Sequence, residues 1–150
     1  MATSPEILVC QPGQGWLDRA CGLFRDLTAR AIQSQGSCII ALSGGSTPRA
    51  LYGALTSTEW KTQCQWDRMI FLFGDERGVP PGHPDSNYGL ALATFFRPLG
   101  IGSSQVHRMT GESADLSLAA ADYERTIRAL THSPSPAIPR LDLILLGLGE

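Results

Sequence analysis

The sequence predicts an α/β fold, an open, mostly parallel sheet with helices packed on both of its faces. Two apolar runs, residues 69–73 and 141–147, have the hydrophobicity of strands buried on both faces, which is typical of parallel sheets. Amphipathic helical patterns alternate with the predicted strands, as expected for right-handed crossover connections. The 150 residues suit one domain, residues 1–150, without internal repeats.

The first half of the chain is predicted to begin with a short strand at residues 6–10. Apolar residues then recur with helical spacing over residues 16–33, and Gly36 is expected to end this helix. Residues 38–42 form a second apolar strand, and residues 49–55 are compatible with a helix.

In the second half, the strand at residues 69–73 runs into a long loop rich in turn residues. Loops of this length in compact domains are usually functional. Asp85 or Ser86 is expected to cap the next helix, which extends to about Phe96. A weaker strand candidate, a second amphipathic helix and a final doubly buried strand follow at residues 106–109, 115–130 and 141–147.

Composition limits the classes of partner. The chain has 12 Lys and Arg against 14 Asp and Glu, so there is no basic field to hold nucleic acid or an anionic membrane. The N-terminus has no basic segment followed by a long apolar run, and a cytoplasmic location is the expectation. The four cysteines form no C-x-x-C pair, and no His lies at metal-ligand spacing from them. We therefore expect reduced structural thiols and no metal.

A glycine turn at residues 43–48, with the sequence SGGSTP, connects the second strand to a helix. Gly44 and Gly45 can adopt positive φ and allow a ligand close to the backbone. Thr47 is expected to be the N-cap, with Pro48 at the first helical position. Free N–H groups at a helix start bind anions, so the turn is a candidate phosphate site. Taken alone, it is equally compatible with a tight bend that binds nothing.

Three charged residues, Asp75, Glu76 and Arg77, directly follow the apolar strand at residues 69–73. Arg77 is suited to binding phosphate oxygens in a bidentate manner, and Asp75 to accepting a substrate hydroxyl or orienting a water. The alternative is a solvated turn with an internal ion pair. Ligands bind beyond the carboxyl ends of parallel strands, so these residues, the glycine turn and residues 147–150 should converge on one crevice.

Other polar residues carry weaker signals. The three histidines, His83, His107 and His132, are scattered, and surface or core positions are expected for them. Asn87 lies in the first turn of the helix after the long loop, where it is expected either to cap the helix or to donate to a ligand.

The glycine turn, the sequence GDER at 74–77, Asn87 and its neighbours, and LDLILLGLG at 141–149 resemble the motifs of 6-phosphogluconolactonases. These belong to the glucosamine-6-phosphate isomerase/6-phosphogluconolactonase family, and the resemblance covers essentially the whole chain. It implies a Rossmann-like fold of the sugar-phosphate isomerase superfamily type. It also implies hydrolysis of 6-phospho-D-glucono-1,5-lactone to 6-phospho-D-gluconate in the pentose phosphate pathway, without a cofactor.

The resemblance also implies roles for individual residues. Asp75 is expected close to the sugar ring as a catalytic residue, in an enzyme whose partner is a small-molecule sugar phosphate. The residues expected to bind this substrate are Gly44, Gly45, Ser46, Thr47, Arg77 and Asn87.

One feature departs from the family pattern. In the family, the strand resembling residues 141–149 is followed by an Asp-Gly-His segment that supplies the general-base histidine, and this sequence stops at Glu150. The favoured interpretation is a domain truncated at its C-terminus, and the alternative is a complete, non-catalytic sugar-phosphate-binding module. Without the expected base, we expect little lactonase activity from these residues alone. Among enzymes, the alternative is a glucosamine-6-phosphate deaminase or isomerase.

Overall fold

The computed structural model describes residues 5–10 and 13–147. A π-helical turn lies at Leu92–Phe96, and 3-10 turns lie at Trp66–Arg68 and Ser103–Gln105. The helices and strands are, in chain order, α1 Gln14–Gln35, β1 Cys38–Leu42, α2 Ser46–Leu55, α3 Thr58–Lys61, β2 Met69–Phe73, α4 Asn87–Ala91, α5 Arg97–Leu99, α6 Leu116–Leu130 and β3 Leu143–Ile144.

The sheet has the order β2-β1-β3, and both strand pairs are parallel. Cys38 pairs with Met69 and Leu42 with Phe73, so β1 and β2 end at the same level. All five residues of β1 are buried, as the continuous apolar run predicts for a central strand. The predicted bounds of both strands are confirmed.

Helices cover both faces of this sheet because successive side chains of a strand point to opposite sides. On one face, α1, α2 and the α4–α5 segment form the larger core against alternate residues of β1 and β2, such as Ile40 and Phe71. On the other face, Tyr123 of α6 packs against Ile39 and Leu72. The predicted layered α/β architecture is therefore confirmed.

The helix predicted at residues 16–33 is present as α1. It extends two residues beyond the predicted range at each end. Gly36 follows it with a φ of 85°, and its N–H donates to the Ile32 carbonyl, which is the helix-ending geometry that favours glycine. In the described ranges, no helix is long and apolar enough to cross a membrane.

The prediction of a doubly buried final strand is wrong. β3 comprises two residues, and Ile144 is 48% exposed because β3 pairs on one side only within the described residues. The Asp142 carboxylate accepts the Ile39 N–H at 2.7 Å, so a side chain replaces a strand-to-strand bond where the ladder would begin. An edge strand with a polar residue at its start is consequently short.

Two other predicted strands also differ. Residues 6–10 are exposed and have no strand structure, with Val9 92% exposed. Residues 106–109 make one isolated parallel bridge, between Val106 and Phe71, instead of a strand. An apolar segment becomes a strand only where a partner backbone satisfies its N–H and C=O groups, and that condition is not visible in local sequence.

Two buried tyrosines hold the carboxyl ends of the central strands. The Tyr52 hydroxyl, from α2, donates to the Ser43 carbonyl at 2.6 Å and accepts the Ser43 N–H at 3.2 Å. The Tyr123 hydroxyl, from α6, likewise accepts the Phe73 N–H at 2.7 Å and contacts the Phe73 carbonyl at 3.1 Å. Burial raises the pKa of Tyr123 to about 12, so this hydroxyl keeps its proton at neutral pH.

Replacing Tyr52 with phenylalanine tests this anchoring. Tyr52→Phe should lower the free energy of unfolding by about 1–3 kcal/mol, because the buried Ser43 N–H and carbonyl lose their partner. Urea denaturation followed by circular dichroism measures the change. Tyr88→Phe is the control, since Tyr88 contacts Phe73 and Arg108 through its ring, which phenylalanine keeps. Equal unfolding midpoints for the two variants would contradict the anchoring role.

Thiol reactivity tests the prediction of structural cysteines. Burial raises the pKa of Cys21 to about 11 and that of Cys38 to about 12, so neither forms thiolate at pH 8. Cys10 is exposed. With a thiol-reactive disulfide reagent, Cys10 should react fast in the native chain, and Cys21 and Cys38 only after unfolding. Loss of the fast phase in Cys10→Ser is the check, and native-state reaction of Cys38 at the rate of Cys10 would refute the prediction.

Candidate phosphosugar site

The carboxyl ends of β1 and β2 lie side by side, and we call the space beyond them the crevice. Because these strands are parallel and end in register, the glycine turn after β1 lies beside the Asp75–Arg77 segment after β2. The Gly74 N–H donates to the Leu42 carbonyl at 2.9 Å and continues the pairing into the loops. The third predicted strand end is tied in by the Ser43 hydroxyl, which donates to the Leu145 carbonyl. Residues 148–150 lie outside the described residues.

The glycine turn leads directly into α2, but its cap differs from the prediction. The helix begins at Ser46, and its N-cap is Gly45, with a φ of 103°. The prediction of Thr47 as the N-cap is therefore wrong. Thr47 and Pro48 therefore lie inside the first turn, where a missing N–H still costs no helical bond. Among residues 5–10 and 13–147, no side chain caps α2, and Gly45, Ser46 and Thr47 are exposed. The helix start thus presents backbone donors to the crevice side of the turn.

The side chains of Asp75 and Arg77, after β2, are 60% and 58% exposed. The Arg77 Nε lies 3.9 Å from the Asp75 Oδ2, at the outer limit of an ion pair. Such an exposed pair contributes little to stability. The internal ion pair is therefore present but long, and both charges are accessible to a ligand.

Glu76 has a different role, which sequence reasoning missed. Its carboxylate accepts the backbone N–H groups of Asn87 at 2.7 Å and Tyr88 at 2.9 Å, at the start of α4. It also accepts the Ser86 hydroxyl at 3.1 Å. Ser86 is itself the N-cap, so one of the two predicted capping residues is confirmed. Because a long loop separates Glu76 from α4 in the sequence, local sequence patterns do not predict the contact between them.

Asn87 links the two halves of the crevice. Its side chain is 3% exposed, and its Nδ2 donates to the Asp75 carbonyl at 3.1 Å. Its Oδ1 lies against Gly44, where an added Cβ would come within 1.7 Å of it. Only glycine at position 44 permits this approach. Asn87 is therefore not the cap, and a direct contact between Asn87 and a ligand stays a prediction.

The three histidines occupy separate places. His83 is exposed in the long loop, where its Nδ1 accepts the Asp85 N–H at 3.2 Å. His107 donates its backbone N–H to the Phe71 carbonyl, and His132 follows the C-terminal end of α6. The described residues contain no cluster of histidines, cysteines and carboxylates that could hold a metal ion.

A cavity of about 230 Å³ adjoins the site on the α6 side. Arg77 lies at its wall, but Met109, Leu116, Ala120 and Tyr123 make most of the lining apolar. No residue of the glycine turn lines it. Glu76 and Thr110 also line the cavity, but its polar groups are few and the helix start of the glycine turn is not among them, so the crevice is the better candidate for a polyhydroxylated phosphosugar.

The contact between Asn87 and Gly44 can be tested by a double-mutant cycle. Gly44→Ala should destabilise the fold by about 1–3 kcal/mol, because the new methyl group overlaps the Asn87 side chain. In an Asn87→Ala background the overlap is gone, so the cost should fall by at least about half. Unfolding free energies of the four proteins measure the coupling.

Gly53→Ala, in α2, is the matched control. A Cβ there meets nothing within 4 Å, so this exchange should be neutral or stabilise by up to about 1 kcal/mol. An additive cycle, with the same cost for Gly44→Ala in both backgrounds, would contradict the proposed contact.

The sequence of this chain is similar to those of proteins of known family. A family model described as glucosamine-6-phosphate isomerases/6-phosphogluconolactonase matches residues 14–150. Among curated proteins, a 6-phosphogluconolactonase from a Nostoc species is 37% identical over 120 residues, or 80% of this chain. One from a Synechocystis species is 33% identical over 147 residues, or 98% of this chain. The chain spans 48% and 60% of the lengths of these two relatives.

Solved structures place the fold in the same group. The 6-phosphogluconolactonase from Trypanosoma brucei superposes with a TM-score of 0.83 and 27% identity, over 99% of this chain and 61% of that one. A monomeric glucosamine-6-phosphate deaminase, at 20% identity and a TM-score of 0.69, over 81% of this chain and 49% of that one, shares the fold. The family match over residues 14–150, together with the glycine turn and the charged segment at adjacent strand ends, shows that this chain belongs to the glucosamine-6-phosphate isomerase/6-phosphogluconolactonase family.

Proposed function

We propose that the chain binds 6-phospho-D-glucono-1,5-lactone and serves its hydrolysis to 6-phospho-D-gluconate. The proposal rests on two groups that follow neighbouring parallel strands, the helix start at Gly45–Thr47 without a side-chain cap and the exposed guanidinium of Arg77. Backbone N–H groups at a helix N-terminus and a planar guanidinium are both suited to a phosphate group. The relatives named 6-phosphogluconolactonase support the choice of substrate.

The start of α4 is a weaker candidate for the phosphate. Its first N–H groups, those of Asn87 and Tyr88, already donate to the Glu76 carboxylate. A phosphate there would also meet the negative charge of Glu76. The proposal therefore assigns the phosphate to the glycine turn and to Arg77, with Gly44, Gly45, Ser46 and Thr47 forming the cradle.

Asp75 is proposed to act at the sugar end of the same ligand. Hydrolysis of a ring ester requires a water molecule activated by a base and donors for the developing oxyanion. The Asp75 carboxylate is exposed at the crevice, where it can accept a hydrogen bond from a sugar hydroxyl or from the attacking water. Asn87 is proposed to hold the Asp75 backbone in place through its bond to the Asp75 carbonyl.

Binding of the reaction product tests the phosphate site. Arg77→Ala should weaken the affinity for 6-phosphogluconate about 10- to 100-fold, because charge-assisted hydrogen bonds to the phosphate are lost. Isothermal titration calorimetry measures it. Arg97→Ala, an exposed arginine at the start of α5, is the matched control and should bind as the unmodified chain does. Unchanged binding by Arg77→Ala would overturn the assignment of the site.

Turnover assays on a chain extended by the family's Asp-Gly-His segment, since little lactonase activity is expected without it, separate the three candidate functions. Hydrolysis of the lactone that falls on Asp75→Asn supports the lactonase, whereas release of ammonia from glucosamine 6-phosphate would favour the deaminase. Binding of 6-phosphogluconate without turnover of either compound would favour a binding module.

A further inference from the structure

The Glu76 carboxylate is an acceptor for four donors, two on each oxygen. Its Oε1 accepts the Arg77 N–H at 2.8 Å and the Asn87 N–H at 2.7 Å. Its Oε2 accepts the Tyr88 N–H at 2.9 Å and the Ser86 hydroxyl at 3.1 Å. These four contacts engage both oxygens of the carboxylate. They join the loop after β2 to the start of α4.

The two neighbours of Glu76 are the charged residues of the proposed site, and their side chains have little support of their own. Asp75 and Arg77 are each more than half exposed, and the distance between their charged groups is 3.9 Å. The directions of these two side chains are therefore set mainly by the backbone of Asp75 and Arg77. That backbone is held at the Arg77 N–H by Glu76 and at the Asp75 carbonyl by Asn87.

Glu76 and Asn87 hold each other as well. The Asn87 backbone N–H donates to Glu76, while its side chain donates to Asp75 and lies against Gly44. A closed set of contacts thus connects the glycine turn, the charged segment and the start of α4. Loss of the Glu76 carboxylate would release this set at its centre.

We propose that Glu76 is a positioning residue, whose carboxylate fixes Asp75 and Arg77 toward the phosphosugar by binding the Arg77, Asn87 and Tyr88 N–H groups. The inference rests on the proposed function for the identity of the ligand. It differs from a plain helix cap in one respect, since the effect of Glu76 on ligand affinity must pass through Arg77.

A double-mutant cycle measures this dependence. Glu76→Gln keeps the size of the side chain but replaces one acceptor oxygen by an NH₂ donor, which cannot accept from these N–H groups. The affinity for 6-phosphogluconate should fall about tenfold in the otherwise unmodified chain and less than about twofold in an Arg77→Ala background. Calorimetry is performed below the unfolding temperature of every variant. An equal loss in both backgrounds, or no loss in either, would overturn the proposal.

Two further variants keep the test sharp. Glu76→Asp retains the charge but is one methylene too short to reach all four donors, and we expect a similar loss of affinity. Full affinity in Glu76→Asp would show that charge alone matters and would refute positioning. Glu124→Gln is the matched control, because Glu124 pairs with Arg128 on the exposed side of α6. It should bind as the unmodified chain does.

A ligand-free measurement separates failure of this inference from failure of the proposed function. In ¹H–¹⁵N correlation spectra, Glu76→Gln should shift the Asp75, Arg77, Asn87 and Tyr88 amide signals and leave those of β1 unchanged. If the unmodified chain binds no 6-phosphogluconate, the proposed function fails. The spectra still decide about Glu76, since unshifted Asp75 and Arg77 signals would refute its positioning role.

Discussion

Where β1 and β2 leave the sheet, their last backbone groups must find new partners in a buried environment, and two tyrosine hydroxyls supply them. Tyr52 satisfies both backbone groups of Ser43 from one face, and Tyr123 does the same for Phe73 from the other. An unpaired buried N–H or carbonyl is costly, so each loop departs from a fixed point. The rest of the crevice depends on these two points.

Beyond these two points, hydrogen bonds from polar side chains connect the loops to one another. Asn87 binds the Asp75 carbonyl and lies against Gly44, and Glu76 gathers the N–H groups at the start of α4. These contacts are buried or partly buried, whereas Asp75 and Arg77 are open to solvent. A hydrogen-bonded inner layer below accessible charged groups is the arrangement expected of a preorganised binding site. The first N–H groups of α4 donate to Glu76, whereas the start of α2 has no side-chain cap among the described residues.

Sequence patterns were most reliable where burial was complete. The bounds of β1 and β2 were predicted without error because an apolar run covered on both faces has few alternative structures. The same reasoning was wrong for β3, and the short strand predicted at residues 6–10 is absent, because strand formation there depends on a neighbouring backbone. The cap at Thr47 was also wrong, because the positive φ of Gly45 starts the helix earlier than residue preferences suggest.

The sequence by itself determined the layered α/β class, the two central strands and the segments that carry the crevice. Periodicity and apolar runs encode these features locally, and the motifs of the glycine turn and of residues 74–77 pointed to the family. Only the tertiary structure decided the partners of Glu76, Asn87 and the two tyrosines. Apart from the bond between Glu76 and the adjacent Arg77, their contacts join residues that are 9 to 50 positions apart, and packing rather than local preference brings such residues together. For that reason the carboxylate of Glu76, which lies in a charged segment of the sequence, is found bonded to the start of α4.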